Sequence, residues 1–73
     1  MVEVLCHYRT INGTMGSDFL GLAVTSREVR EMIWADAERN YGKDVVLQKS
    51  GDRWNIYRSG VKIDNEWYAT RLY

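Results

Sequence analysis

The sequence predicts an α+β domain in which a mainly antiparallel sheet of four to five strands carries one helix packed on one face. Two observations lead to this class: one segment has helical periodicity, and segments with strand-like alternation separated by turn signals lie before and after it. The predicted order is ββαββ, with a further strand if the C-terminal segment folds back. The length of 73 residues leaves room for one domain, residues 1–73.

The helix is predicted over Thr25 to Tyr41. Thr25 and Glu28 have the spacing of a capping box, in which each side chain binds the backbone N–H of the other residue. Val24 and Val29 occupy the positions of a hydrophobic staple, and a glycine follows the segment as an end signal. Apolar residues recur at helical spacing at Val29, Met32, Ile33, Ala37 and Tyr41. The signals for the start of the helix, for its inner face and for its end therefore agree with one another.

A β-hairpin is predicted before the helix. Residues Val2 to Thr10 alternate as a strand, and Asn12-Gly13 predicts a two-residue type I′ turn, which requires positive φ at both central residues. A second strand is predicted near residues 18–24. This turn would place His7 opposite Asp18, whereas a slip of one residue would exchange the faces of the second strand.

The part after the helix contains further strand signals. The predicted strands cover residues 45–49, 53–58, 61–63 and 66–73. The order of elements is similar to the β-grasp arrangement of ubiquitin-like domains, in topology alone. In the β-grasp arrangement the first and last strands pair in parallel at the centre of the sheet. The alternative is a plain antiparallel meander under a helix.

Two tight turns are predicted within this C-terminal part, at Gly51-Asp52 and at Asp64-Asn65. They pair Lys49 with Trp54 and Lys62 with Trp67, and both pairs would be cross-strand cation–π contacts.

Composition argues against several kinds of function. Ten basic and ten acidic residues give zero net charge, so a strong global attraction to nucleic acid or anionic lipid is not expected. The single cysteine, Cys6, and the single histidine, His7, are too few for a disulfide or a structural zinc site, and we expect no metal and no cofactor. No signal peptide and no apolar run of membrane-spanning length is evident, so a cytoplasmic protein is expected.

The sequence contains few residues that could carry out catalysis. Cys6 and His7 are adjacent, but neighbours in a strand point to opposite faces, so we expect a buried structural thiol and no catalytic residues. Asp36 and Asn40 lie one helical turn apart. They mark either a polar site under the helix or, as we expect, the edge where the helix meets solvent.

Both faces of the predicted sheet carry apolar residues, although a helix can cover only one of them. An uncovered apolar patch commonly marks an interaction site. The sequence therefore predicts a small non-enzymatic module, such as a regulator or inhibitor, that binds another protein or its own copy as a homodimer, and not a membrane. The predicted anchor residues are Trp34, Trp54, Tyr57 and Trp67.

Two alternatives remain open. Aromatic and basic residues on a sheet also bind single-stranded nucleic acid, and the cations available for it are Arg53, Arg58, Lys62 and Arg71. The other alternative is a small hydrolase or transferase centred on Cys6 or His7.

Overall fold

A computed structural model describes all 73 residues of the chain. The elements are β1 (Val2–Arg9), β2 (Met15–Ala23), α1 (Ser26–Tyr41), β3 (Val45–Ser50), β4 (Arg53–Arg58) and β5 (Val61–Leu72). The predicted order is confirmed, with the additional C-terminal strand present. The helix is too short and too polar to cross a membrane.

The five strands form one sheet in the order β2-β1-β5-β4-β3. The first and last strands are neighbours at its centre, but they run antiparallel, with Val2 opposite Leu72. The parallel pairing of the β-grasp arrangement is therefore not found. The shorter predicted order, ββαββ, has two strands after the helix, whereas the chain has three. Each tight hairpin reverses the direction of the chain, so the third of these strands, β5, runs antiparallel to β1.

The first hairpin differs from its prediction by one residue. Gly13 has a φ of 84°, but Asn12 does not have a positive φ, so the type I′ turn does not form. Instead the Gly13 N–H donates to the Thr10 carbonyl at 2.9 Å, and the turn centres one residue earlier. His7 consequently lies opposite Ser17 rather than Asp18.

The second hairpin follows its prediction. Gly51 and Asp52 connect β3 and β4 in a two-residue turn, and Gly51 has the positive φ, 65°, that such a turn requires. Lys49 lies opposite Trp54, and its Nζ is 5.2 Å from the centroid of the indole ring. The predicted cation–π pair is confirmed.

The predicted turn at Asp64-Asn65 is wrong, because β5 continues through it. The chain reverses earlier, at Ser59-Gly60, where both residues have positive φ (52° and 77°). Lys62 therefore lies opposite Tyr57 and does not pair with Trp67. β5 pairs with β1 from Glu66 to Leu72, and its register with β4 shifts between Ile63 and Trp67. The two polar residues thus form an irregularity in the strand rather than a hairpin.

The helix begins with the predicted capping box. The Glu28 N–H donates to the Thr25 hydroxyl at 3.1 Å, and the Glu28 carboxylate accepts from the N–H groups of Val24 and Thr25 at 2.9 and 3.0 Å. These backbone hydrogen bonds lower the pKa of Glu28. At the other end, the Gly42 N–H donates to the Glu38 carbonyl.

One hydrophobic core joins the helix to the sheet. Buried Val29, Ile33 and Ala37 of α1 share it with strand residues Val4, Cys6, Ala23, Val45, Leu47, Ile56 and Tyr68. These strand residues occupy alternate positions, and the register places them on one side of the sheet, here called the core side. The intervening residues form the outer side.

Candidate functional site

The outer side carries a row of apolar side chains from edge to edge of the sheet. They are Met15, Phe19 and Leu22 of β2, Leu5 of β1, Trp67 and Ala69 of β5, Tyr57 of β4 and Val46 of β3. Phe19 is 59% exposed and Met15 53%, and Val46 and Leu22 are 47% and 40% exposed. Apolar side chains are therefore accessible on both edge strands of this side.

The outer side is also positively charged. At positions with a cross-strand partner it carries the cations Arg9, Arg53, Lys62 and Arg71 and one carboxylate, Glu3. At these paired positions the excess is three positive charges, and Asp64, in the unpaired part of β5 next to Ile63, adds one carboxylate close to them. Arg71 donates from Nε to the Glu3 carboxylate at 2.7 Å, which raises the pKa of Arg71. The remaining three cations form no ion pair.

Trp67 forms the centre of the outer side and is only 8% exposed. The Arg53 guanidinium lies 4.5 Å from the centroid of its ring, and the His7 ring centroid lies 5.8 Å away on the neighbouring strand. His7 in turn has its Nδ1 at 2.6 Å from the Ser17 hydroxyl. These contacts link four strands, and because Trp67 is buried it offers little contact area to a partner.

The four predicted anchors do not lie on one surface. Trp34 of the helix and Trp54 of the core side are partly buried and pack against the core. Tyr57 and Trp67 lie on the outer side. The most exposed aromatic ring of that side, Phe19, was not predicted as an anchor, because its face depended on the uncertain register after the first turn.

The four cations of the nucleic-acid alternative are divided in the same way. Arg53, Lys62 and Arg71 lie on the outer side, whereas Arg58 is on the core side, opposite Val45 and Val61. Arg53 covers the Trp67 ring. That ring is therefore not free to stack on a base.

A polar cluster lies beneath the C-terminal half of the helix. Asp36 is 8% exposed and accepts a hydrogen bond from the Tyr68 hydroxyl at 2.7 Å and from Asn40 at 3.2 Å; Arg39 also donates to it. The expectation that Asp36 marks a solvent-exposed edge is wrong, because its carboxylate is buried and its hydrogen-bonding capacity is met by these donors. Burial, and then the hydrogen bond to Asp36, raises the pKa of Tyr68.

Cys6 belongs to this cluster, with its Sγ 3.9 Å from the Glu66 carboxylate. Burial, followed by the charges of Glu66, Asp36 and Asp18, raises its pKa to about 12. Since the thiolate is the nucleophilic form, this environment works against nucleophilic chemistry. His7 lies on the other side of the sheet, so the two residues do not form a nucleophile–base pair.

The chain contains no group of three or more His, Cys, Asp or Glu side chains arranged to hold a metal ion. Comparison with protein-family models, with curated proteins and with solved structures finds no significant match. Any functional assignment therefore depends on the geometry of the chain itself.

Proposed function

We propose that this chain is a non-enzymatic interaction module, a regulator or inhibitor, that binds another protein through the outer side of its sheet. The observation that carries the proposal is the apolar row on that side, which is buried at its centre, at Leu5 and Trp67, and exposed on both edge strands. With α1 packed on the core side, nothing within the chain covers Phe19, Leu22 or Val46. Apolar side chains that remain exposed on one face and are framed by polar ones are characteristic of protein interaction sites.

Charge favours a foreign partner over a second copy. A symmetric dimer through this side would bring together two surfaces that each have an excess of positive charge, and like charges facing one another oppose association. A partner with an apolar patch surrounded by Asp and Glu would complement both the shape and the charge. We therefore propose an acidic protein partner rather than a homodimer.

The proposal includes a cytoplasmic location. The chain holds one free, buried thiol and no disulfide, which suits a reducing compartment.

Single-stranded nucleic acid is the second candidate, and the same excess of positive charge supports it. It ranks lower because Arg53 covers Trp67 and Arg71 is paired with Glu3. Binding of a labelled oligonucleotide that weakens steeply with salt and requires Arg53 and Lys62 would favour this candidate over a protein partner.

Substitution of the exposed outer residues tests the proposal. Phe19→Asp combined with Leu22→Asp should abolish capture of the partner from an extract of the source cells, with affinity falling at least about 30-fold, which corresponds to about 2 kcal/mol, the contribution of a single strong interface anchor. The measurement is affinity capture on the immobilised chain, followed by titration with the protein retained.

The matched control is Ile11→Asp. Ile11 is fully exposed in the first turn, outside the outer side, so its substitution changes surface hydrophobicity and charge without touching the proposed interface. Circular dichroism verifies that all variants fold. Equal capture by the wild type, the double variant and the control would show that the outer side is not the interface.

A further inference from the structure

The N-terminal half of α1 and the sheet enclose a cleft of about 400 Å³, separate from the outer side. Its floor crosses four strands and includes Val2, Thr70, Lys49 and Trp54, and the start of the helix forms its wall. Its volume falls within the range, about 300–1,000 Å³, of pockets that hold small organic ligands.

The lining combines apolar surface with unpaired positive charge. Val2, Val29 and Trp54 supply aliphatic and aromatic contact area, and the two charged side chains of the lining, Arg30 and Lys49, are both cations. Neither forms an ion pair within the chain. The capping box engages the N–H groups of Val24, Thr25 and Glu28. It does not engage those of Ser26 and Arg27, so the start of the helix adds to the positive character that the two side chains give the cleft.

We propose that this cleft binds a carboxylate attached to an aromatic or aliphatic group. The apolar part lies against Val2 and Val29, and the carboxylate lies between Arg30 and the Lys49 ammonium that covers the Trp54 ring. An arginine binds a carboxylate through two parallel hydrogen bonds, which a neutral alcohol of the same shape cannot reproduce. The ligand is either a free organic acid or the C-terminal residue of a polypeptide, which present the same chemistry.

A series of three matched probes tests this assignment by NMR of the ¹⁵N-labelled chain: 4-phenylbutyrate, 4-phenylbutanol and 4-phenylbutylamine. The acid should give saturable shifts at the Trp54 indole N–H and at residues 25–30, and should bind about tenfold more tightly than the alcohol, the ratio expected for charge-assisted hydrogen bonds. The amine should bind most weakly. Equal binding of acid and alcohol, or no saturable shift, would overturn the proposal.

Variants then test the residues. Arg30→Gln and Lys49→Gln, both at exposed positions, should each weaken binding of the acid about five- to tenfold, whereas Lys62→Gln on the outer side should leave it unchanged. If Lys62→Gln had the same effect as the cleft variants, the binding would be a nonspecific response to charge and the proposal would be wrong.

A peptide that ends in phenylalanine, with its C-terminus free or amidated, distinguishes the two sources. Shifts that require the free terminus assign the cleft to polypeptide C-termini, and binding of phenylbutyrate alone assigns it to free organic acids. Either result supports the carboxylate site. The experiment does not involve Phe19 or Leu22, so its outcome is independent of the proposed interface.

Discussion

Ile33→Ala should lower the free energy of unfolding by about 2–5 kcal/mol, the range for removing a large aliphatic side chain from a packed core. Ile33 is fully buried and, with Val29 and Ala37, joins the helix to the sheet. A domain of this size has a total stability of roughly 0.05–0.15 kcal/mol per residue, so the loss is a large part of the whole. Urea unfolding followed by tryptophan fluorescence measures it.

Val24→Ala is the matched control, because Val24 precedes the same helix but is 70% exposed. Its substitution should change the free energy of unfolding by no more than about 0.5 kcal/mol. If Ile33→Ala were equally mild, the helix would not depend on this core for its stability.

Stability should fall steeply as the pH rises above about 9. The folded state raises the pKa of Cys6 from 9.0 to about 12, so between these values the unfolded chain loses a proton that the folded chain keeps. The folded state then binds more protons than the unfolded state, and raising the pH favours unfolding by up to about 1.4 kcal/mol per pH unit for each such group. Tyr41 and Tyr68, whose pKa values are also raised by burial, add to the slope above pH 10.

Cys6→Ala separates the thiol from the tyrosines. Between pH 8.5 and 9.5 the unfolded tyrosines are still mostly protonated, so the variant should show a clearly shallower loss of stability there than the wild type. Urea titrations at half-unit intervals of pH provide both curves. A wild-type stability that stayed constant up to pH 11, or a variant with the same slope, would contradict the buried position of the thiol among carboxylates.

The helix and the second hairpin were predictable because short-range chemistry determines them. Thr25 and Glu28 define the start of the helix by side-chain contacts within one turn, and the Gly51 turn fixes the pairing of Lys49 with Trp54. In each case the residues that decide the structure are neighbours in sequence.

The predictions for the first turn and the last strand were wrong because local preferences at both places allow more than one structure. At Asn12-Gly13 several hairpin loops satisfy the same local preferences, and the observed one shifts the register by a residue. The chain reverses at Ser59-Gly60 instead of Asp64-Asn65, and β5 continues through the two polar residues to pair from Glu66 onward with β1, a strand far away in sequence. Local patterns contain no information about such a partner.

The candidate site was predictable only in part, because its residues are brought together by the strand registers that the sequence left open. Apolar residues on both faces were evident from the sequence, but the side that Phe19 occupies was not, and the predicted anchors were spread over two surfaces. The positive excess of the outer side was hidden by the zero net charge of the chain. It becomes visible only when the cross-strand register places Arg9, Arg53, Lys62 and Arg71 together.

The central claim, that a protein partner covers the outer side of the sheet, is tested most directly by cross-saturation NMR of the methyl-labelled chain bound to its captured partner. Leu22 and Val46, which are exposed, report on the outer side, and the buried residues Val4, Val45 and Leu47 report on the core side. The proposal predicts that saturation of the partner attenuates the outer methyl signals and leaves the core-side signals unchanged. Attenuation of neither set, or of signals from the helix surface instead, would contradict it.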